Sequence, residues 1–201
     1  LGPEDYGLFV VAMTVSFWFE VAASMVLART TIKFVAEATD WRPVASAAAR
    51  LQLIVGAVVG LVLALTASLL ARGLRSPQLT SSLQLLAFGV PLSALFRVHS
   101  LVLVARGRFG PYAMTTAARL VSRLLLTFLF VGMGLSVTGA ILAPVLASLI
   151  AVVTVRFFVR PALLSRSGFP TRQLWGYALP LFLSSIGIQL FSRLDLVFNN
   201  A

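Results

Sequence analysis

The stretch that decides the fold class runs from Ala45 to Leu70 and reads ASAAARLQLIVGAVVGLVLALTASLL. Arg50, near its beginning, is the only charged residue in it. The hydrocarbon core of a bilayer is about 30 Å thick and is crossed by roughly 20 apolar residues in helical conformation. This stretch therefore predicts a transmembrane helix.

Five more stretches have the length and apolar character of membrane spans, and proline, glycine and arginine residues separate them. Their predicted bounds are Tyr6–Glu37, Leu79–Ala105, Pro111–Gly134, Thr138–Val159 and a last span from about Leu174 to the end. The first is unusually long, and its second half is polar. The sequence thus predicts an all-α integral membrane protein with six transmembrane helices.

The composition excludes a soluble fold. Apolar residues make up 59% of the chain, charged residues only 11%, and the mean hydropathy is +0.98. Soluble domains carry about 25% charged residues. The net charge of +10 would suggest a nucleic-acid partner in a soluble protein. In a membrane protein it first reflects the lysines and arginines of cytoplasmic loops, so we expect no nucleic-acid partner.

The loops between the predicted spans alternate in charge, as the positive-inside rule requires. One set comprises Ala38–Arg50, Ala105–Gly110 and Arg156–Gln173 and contains many arginines; the other comprises Leu1–Asp5, Ala71–Gln78 and Leu135–Val137 and contains few. The first set holds Arg42, Arg50, Arg106, Arg108, Arg156, Arg160, Arg166 and Arg172, and the second only Arg72 and Arg75. We therefore expect the first set inside the cell and Leu1–Asp5 outside.

The basic segment 161–175 divides the chain in this interpretation. Residues 1–160 are expected to form an N-terminal bundle of five spans, and residues 176–201 to begin a C-terminal bundle. The segment between them is either an ordinary cytoplasmic linker or an interfacial helix. The chain begins at Leu1 and stops at Ala201 within an apolar run. We interpret it as a fragment of a longer protein.

Several cationic side chains lie inside the predicted spans, where each costs about 2.5–3.5 kcal/mol at the bilayer centre on insertion scales. Arg29 and Lys33 are four residues apart and share a helix face, and Arg119 and Arg123 repeat this spacing. Cations near the end of a span can extend to the membrane surface. Arg119 and Arg123 lie two to three turns into their helix. We expect these two pairs to line a water-filled cationic interior.

Further polar candidates lie on the third and last spans. Gln189 and Arg193 share one helix face. Asp195 is about 200° from Arg193 on the same helix and therefore needs a partner on another span. Its role is either in substrate binding or in a structural bond between two helices. Arg97 and His99 point in different directions, and His99 is interpreted as a packing residue. Candidate substrate-binding residues are thus Arg29, Lys33, Arg119, Arg123 and Arg193, with Arg97, Gln189 and Asp195 as secondary candidates.

Glu20 needs a partner as well. On an ideal helix it lies about 180° from Arg29, so these two residues could pair only across a kink. Pro91, Pro144 and Pro180 lie in or near spans and open helical hydrogen bonds. Gly56 and Gly60 form a small-xxx-small match, which predicts tight helix packing.

The residue inventory also excludes several kinds of chemistry. There is no cysteine and only one histidine, so no thiolate or multi-histidine metal site is expected. The G-x-S-x-G, Walker A and H-E-x-x-H motifs do not occur. We therefore expect no catalytic residues, no metal and no cofactor, and a transporter rather than an enzyme.

The first residues, Leu1–Phe9, read LGPEDYGLF and resemble the LGPEEYGLF signature that follows the first transmembrane helix of bacterial polysaccharide and O-antigen flippases. These belong to the multidrug/oligosaccharidyl-lipid/polysaccharide exporter superfamily. Looser similarities follow in family order: RTTIKFVAE at 29–37, GLSVTGA at 134–140, LPL at 179–181 and SRLD at 192–195.

The resemblance implies two six-helix bundles around a central cavity that opens to one side of the membrane at a time. The six spans would then be the second to seventh helices, so the first bundle lacks only its first helix. Such flippases move polyprenyl-pyrophosphate-linked oligosaccharides across the bacterial inner membrane for surface polysaccharide biosynthesis. The implied partners are this substrate, membrane lipid and the polysaccharide polymerase or glycosyltransferase machinery. Cavity cations would meet the pyrophosphate, a role that falls on Arg29, Lys33, Arg119 and Arg123.

Three alternatives remain at this point. A drug or cation antiporter of the same superfamily would require an acidic cavity. A membrane-embedded glycosyltransferase or polymerase would require catalytic acids, often on a large external loop. A purely structural membrane protein would not need several cations within its spans.

Overall fold

The computed structural model describes residues 2–25, 27–159, 169–181 and 183–184. Helices joined by short turns make up this part of the chain. The helices are α1 (Pro3–Met25), α2 (Ala28–Glu37), α3 (Trp41–Gly73), α4 (Leu79–Ala105), α5 (Phe109–Gly132) and α6 (Ser136–Phe158). A further helix, α7, covers residues 171–181.

Within these described ranges, five helical stretches are long and apolar enough to cross a membrane. They are Asp5–Glu37, Trp41–Gly73, Leu79–Ala105, Phe109–Gly132 and Ser136–Phe158. The predicted all-α membrane fold is thus confirmed, and the chain is a multi-pass membrane protein. The predicted sixth span begins within α7, and its remainder lies mostly outside the described residues. Residues 161–168 of the predicted 161–175 linker also lie outside them, and residues 171–175 belong to α7, so the division into two bundles stays a prediction.

The first span is interrupted, although a single helix was expected from Tyr6 to Glu37. Leu27 has φ −112° and ψ 0°, which places it outside the helical region between α1 and α2. No proline or glycine occurs here. Instead, Leu27 is 1% exposed and packs with Leu51 of α3 and Leu174 of α7. Tertiary burial of one leucine therefore accompanies the break, which explains why local sequence did not predict it.

A buried glutamine supports the interrupted backbone. The Nε2 of Gln52 on α3 donates a hydrogen bond of 2.7 Å to the carbonyl of Ala23, just before the break. Broken helices persist within membranes only where neighbouring groups satisfy the freed backbone atoms. Gln52 provides such a donor.

Helix α3 is longer than the predicted span Ala45–Leu70. Its 33 residues extend about 50 Å, which exceeds the hydrocarbon thickness. At its beginning the side chain of Asp40 accepts a hydrogen bond of 3.1 Å from the backbone N–H of Arg42. Pro43 follows in the first turn, where a helix needs no N–H donor. These capping residues start the helix before its apolar part begins.

Helix α4 forms the centre of the bundle and packs against α1, α2, α3 and α6. In its apolar stretch 67% of the residues are buried, compared with 6% in α5. A helix that is apolar around its whole circumference belongs in a core. α5 packs mainly on α6, and its outer face carries exposed apolar side chains that suit contact with lipid.

Two glycines permit the close contact between α3 and α4. A Cβ at Gly56 would lie 2.8 Å from Ala94 Cβ, and one at Gly60 would lie 2.7 Å from the carbonyl oxygen of Ala87. Small residues let helix backbones approach in membranes. The prediction that this small-xxx-small pair serves packing is confirmed.

The described parts of the two predicted sets of loops lie at opposite ends of the bundle. At the arginine-rich end Arg108 Nη1 donates to the carbonyl of Phe158 at 3.4 Å, and Arg106 lies 5.7 Å from the Trp41 ring. At the other end the hydroxyl of Ser136 donates to Asp5 Oδ2 at 3.2 Å. The antiparallel arrangement therefore separates the loops as their charges predicted.

Candidate anion-binding site

Arg119 lies about halfway along α5, and its guanidinium reaches three other helices. Its Nη2 lies 3.7 Å from Glu20 Oε2 on α1. The same nitrogen donates hydrogen bonds to Ser93 Oγ on α4 at 3.1 Å and to Ser148 Oγ on α6 at 3.4 Å. Hydroxyl groups from two helices thus hold this cation by hydrogen bonds, and a carboxylate from a third helix lies beside it.

The two serines form a chain of hydrogen bonds. Ser148 donates to the carbonyl of Pro144 at 2.8 Å, and the Oγ atoms of Ser93 and Ser148 are 3.2 Å apart. Each hydroxyl has one proton. Ser148 has used its proton on Pro144, so its oxygen is an acceptor in its other contacts. The hydroxyl proton of Ser93 has two acceptors within reach, the oxygen of Ser148 and the carboxylate of Glu20. The remaining lone pairs of both oxygens then face Arg119 as acceptors.

An aromatic ring completes this environment. The guanidinium carbon of Arg119 lies 5.1 Å from the centroid of the buried Phe96 ring. Cations are attracted to aromatic faces at such distances. Phe96 and the serines therefore restrain Arg119 from the protein side.

Arg119 opens onto a cavity of about 320 Å³ between α1, α4 and α5. Its charged lining residues are Glu20, Arg97, Arg119 and Arg123, and we call it the arginine cavity. Tyr112 and Thr116 add hydroxyl groups to its wall. In the part of the chain that the structure describes, three guanidinium groups and one carboxylate give this lining an excess of two positive charges. This arrangement can bind an anion.

Exposure differs among these charged groups. The side chains of Arg119 and Glu20 are 27% and 29% exposed, whereas Arg97 and Arg123 are exposed residues. Arg119 is therefore the anchored cation of the cavity, and the side chains of Arg97 and Arg123 are more accessible to a ligand.

Comparison with protein families matches residues 1–198 to a family of polysaccharide biosynthesis proteins. The chain belongs to this family. The match covers nearly the whole chain and agrees with the flippase resemblance of its first residues. Comparison with curated proteins and with solved structures gives no match.

In this polysaccharide biosynthesis protein, three of the predicted cations share the arginine cavity. Arg119 and Arg123, four residues apart, both line it, and so does the secondary candidate Arg97. His99, two residues further along α4, is fully buried, and its Nδ1 lies 2.7 Å from the carbonyl oxygen of Leu95. Arg97 and His99 thus point in different directions, as their spacing predicted.

The pair Arg29 and Lys33 lies elsewhere, on α2. Arg29 is exposed, and Lys33 Nζ lies 4.2 Å from the centroid of the Tyr177 ring on α7. Neither residue lines the arginine cavity. Their predicted role in substrate binding stays a prediction. Gln189, Arg193 and Asp195 lie outside the described residues.

Sequence reasoning did not select Ser93, Ser148 and Glu20 as site residues. One feature of the sequence could have drawn attention to the serines: each closely follows a proline inside its helix, Pro91 in α4 and Pro144 in α6. The sequence indicated that Glu20 needs a partner, but it did not indicate that this partner is Arg119 on α5. Among the described residues, no three His, Asp or Glu side chains come together to hold a metal ion.

Proposed function

We propose that this protein flips a polyprenyl-pyrophosphate-linked oligosaccharide across the bacterial inner membrane by alternating access, for surface polysaccharide biosynthesis. The observation that carries the proposal is the arginine cavity within a multi-pass membrane protein of a polysaccharide biosynthesis family. Its lining arginines Arg97, Arg119 and Arg123 are the residues that bind the diphosphate. Cations within a membrane are costly and usually mark a substrate pathway.

The chemistry of the headgroup fits this site. A pyrophosphate offers several anionic oxygens, and arginine binds such oxygens through two parallel charge-assisted hydrogen bonds. Arg119 supplies a preorganised guanidinium, because Ser93 and Ser148 hold it from behind. Arg97 and Arg123 then close on the diphosphate from the cavity wall.

The size of the cavity indicates which part of the substrate it binds. At about 320 Å³ it lies at the small end of the range of ligand pockets, roughly 300–1,000 Å³. It therefore suits the diphosphate better than a whole oligosaccharide. The polyprenyl tail stays in lipid during transport, and the sugars extend along the pathway between the two halves of the transporter.

The charge of the cavity argues against a cation or drug antiporter. Such a protein would attract its substrate with carboxylates, but among the described residues Glu20 is the one carboxylate on this wall, and it already faces Arg119. An embedded glycosyltransferase would need catalytic acids at an external loop. The turns at 74–78 and 133–135 are too short for such a site.

The test is complementation of a flippase-deficient host with the complete protein carrying Arg119→Ala and Arg123→Ala. We expect surface polysaccharide to be lost, because both cations leave the cavity. The matched control is Arg72→Ala with Arg75→Ala, which removes the same charge at the end of α3, outside the arginine cavity. Surface polysaccharide at the unsubstituted level in the cavity variant would overturn the proposal.

A further inference from the structure

We propose that Glu20 is the internal counter-ion of the arginine cavity and occupies Arg119 until an anionic diphosphate displaces it. This inference rests on the proposed function and deepens it. Glu20 would then assist release of the headgroup by taking its place at Arg119.

The geometry of the pair carries the inference. Charge-assisted hydrogen bonds between arginine and carboxylate are about 2.7–2.9 Å long. Glu20 Oε2 lies 3.7 Å from Arg119 Nη2, whereas Ser93 Oγ lies 3.1 Å from the same nitrogen. The contact of Arg119 with the serine is thus the shorter one, and its ion pair with the carboxylate is long. A long ion pair is the part of this site that a diphosphate can replace.

The position of Glu20 is also informative. It is the carboxylate on the wall of the arginine cavity, and the three other charged lining residues are arginines. A negative charge in this place lowers the affinity of the cavity for any anion. It neutralises part of the cationic wall while the cavity is empty.

Glu20 and Arg119 belong to helices that pack on different neighbours. α1 packs mainly on α4 and α3, and α5 packs mainly on α6. The pair therefore joins α1 to α5 across the cavity and is accessible from it, since each side chain is more than a quarter exposed. A ligand can reach Arg119 without disrupting the packed core.

The test is calorimetric titration of the complete protein in detergent with inorganic pyrophosphate. We expect Glu20→Gln to bind pyrophosphate about two- to fivefold more tightly, the range for losing the competition of a part-exposed ion pair. The dissociation rate should fall by a similar factor, because affinity differences within one site arise mostly in dissociation. Glu37→Gln is the matched control, since Glu37 is exposed at the end of α2. It should leave the affinity unchanged.

A double-mutant cycle separates this role from a general effect of charge. Arg119→Gln should weaken pyrophosphate binding, and Glu20→Gln added to it should change the affinity by less than twofold. Glu20→Asp, which keeps the charge, should bind like the unsubstituted protein. Equal thermal stability of Glu20→Gln and the unsubstituted protein shows that folding does not cause the change.

The affinities of the Arg119→Gln and Glu20→Gln variants distinguish failure of the counter-ion role from failure of the anion site. If Arg119→Gln weakens binding while Glu20→Gln leaves it unchanged or weaker, the counter-ion role is overturned and the anion site of the proposed function stands. If Arg119→Gln binds pyrophosphate as tightly as the unsubstituted protein, the anion site itself fails, and the role of Glu20 fails with it.

Discussion

At the scale of single residues, the site depends on how one guanidinium is held. Arg119 is placed by hydroxyl oxygens from α4 and α6 rather than by its own helix. A lysine ammonium could not present the same planar set of donors to both serines and to a ligand. The two serines therefore set the orientation of the Arg119 guanidinium.

Replacing both serines tests this positioning role. Ser93→Ala with Ser148→Ala should weaken pyrophosphate binding by about 0.5–1.5 kcal/mol, or roughly 2- to 12-fold in Kd, because Arg119 loses two acceptors. Ser81→Ala is the control on α4, since its exposed hydroxyl bonds only near the helix start, 3.2 Å from the Gln78 carbonyl oxygen. Equal affinities for the two variants would contradict the role.

At the scale of helices, contacts between elements account for features that hydropathy alone does not. α3 and α4 approach closely because Gly56 and Gly60 present no side chain to Ala94 and Ala87. The break between α1 and α2 has the same kind of cause, since Leu27 packs into a contact with α3 and α7. The apolar length of a span predicts neither the break between α1 and α2 nor the close contact between α3 and α4.

Adding one methyl group at the α3–α4 contact should destabilise the protein. A Cβ at Gly60 would overlap the backbone oxygen of Ala87, so Gly60→Ala forces the helices apart at a cost of about 1–3 kcal/mol. The melting temperature in detergent should fall accordingly. Gly73→Ala, where no atom lies within 4 Å of the added Cβ, should not lower it. A melting temperature for Gly60→Ala at or above that of Gly73→Ala would contradict this packing argument.

At the scale of the whole molecule, the charge of the loops predicts orientation in the membrane. The arginine-rich turns after α2 and α4 lie at one end with the last residues of α6, and the arginine-poor turns after α3 and α5 lie at the other. The positive-inside rule assigns the first end to the cytoplasm.

Single introduced cysteines can test this orientation, because these 201 residues contain no cysteine and labelling of each variant can be compared with that of the unsubstituted protein. A membrane-impermeant thiol reagent added to intact cells should label Gln78→Cys, in the turn before α4, and spare Thr39→Cys, in the turn before α3. Both positions are exposed. Labelling of Thr39→Cys alone would reverse the predicted topology.

The bounds of the spans were largely predictable from the sequence. α4 matches its predicted range Leu79–Ala105, and α5 and α6 each begin two residues earlier than expected. A membrane helix satisfies its hydrogen bonds within its own segment, so apolar length predicts it from local sequence. α3 extends beyond its apolar part because polar capping residues continue the helix outside the hydrocarbon core.

The candidate site was predictable only in its charges. The spacing of Arg119 and Arg123 placed both on one face, but nothing in α5 indicated that Arg97 would join them or that Arg29 and Lys33 would lie elsewhere. Glu20 could be recognised as costly and in need of a partner, without that partner being identifiable.

The sequence by itself determined that the chain crosses a membrane through apolar helices and which loops share an end. Those properties depend on length, hydropathy and charge within each segment. The tertiary structure decided that Glu20, Ser93 and Ser148 meet Arg119, and that three arginines share one cavity. These contacts depend on the rotation and spacing of helices relative to one another, which packing between distant segments sets and no single segment encodes.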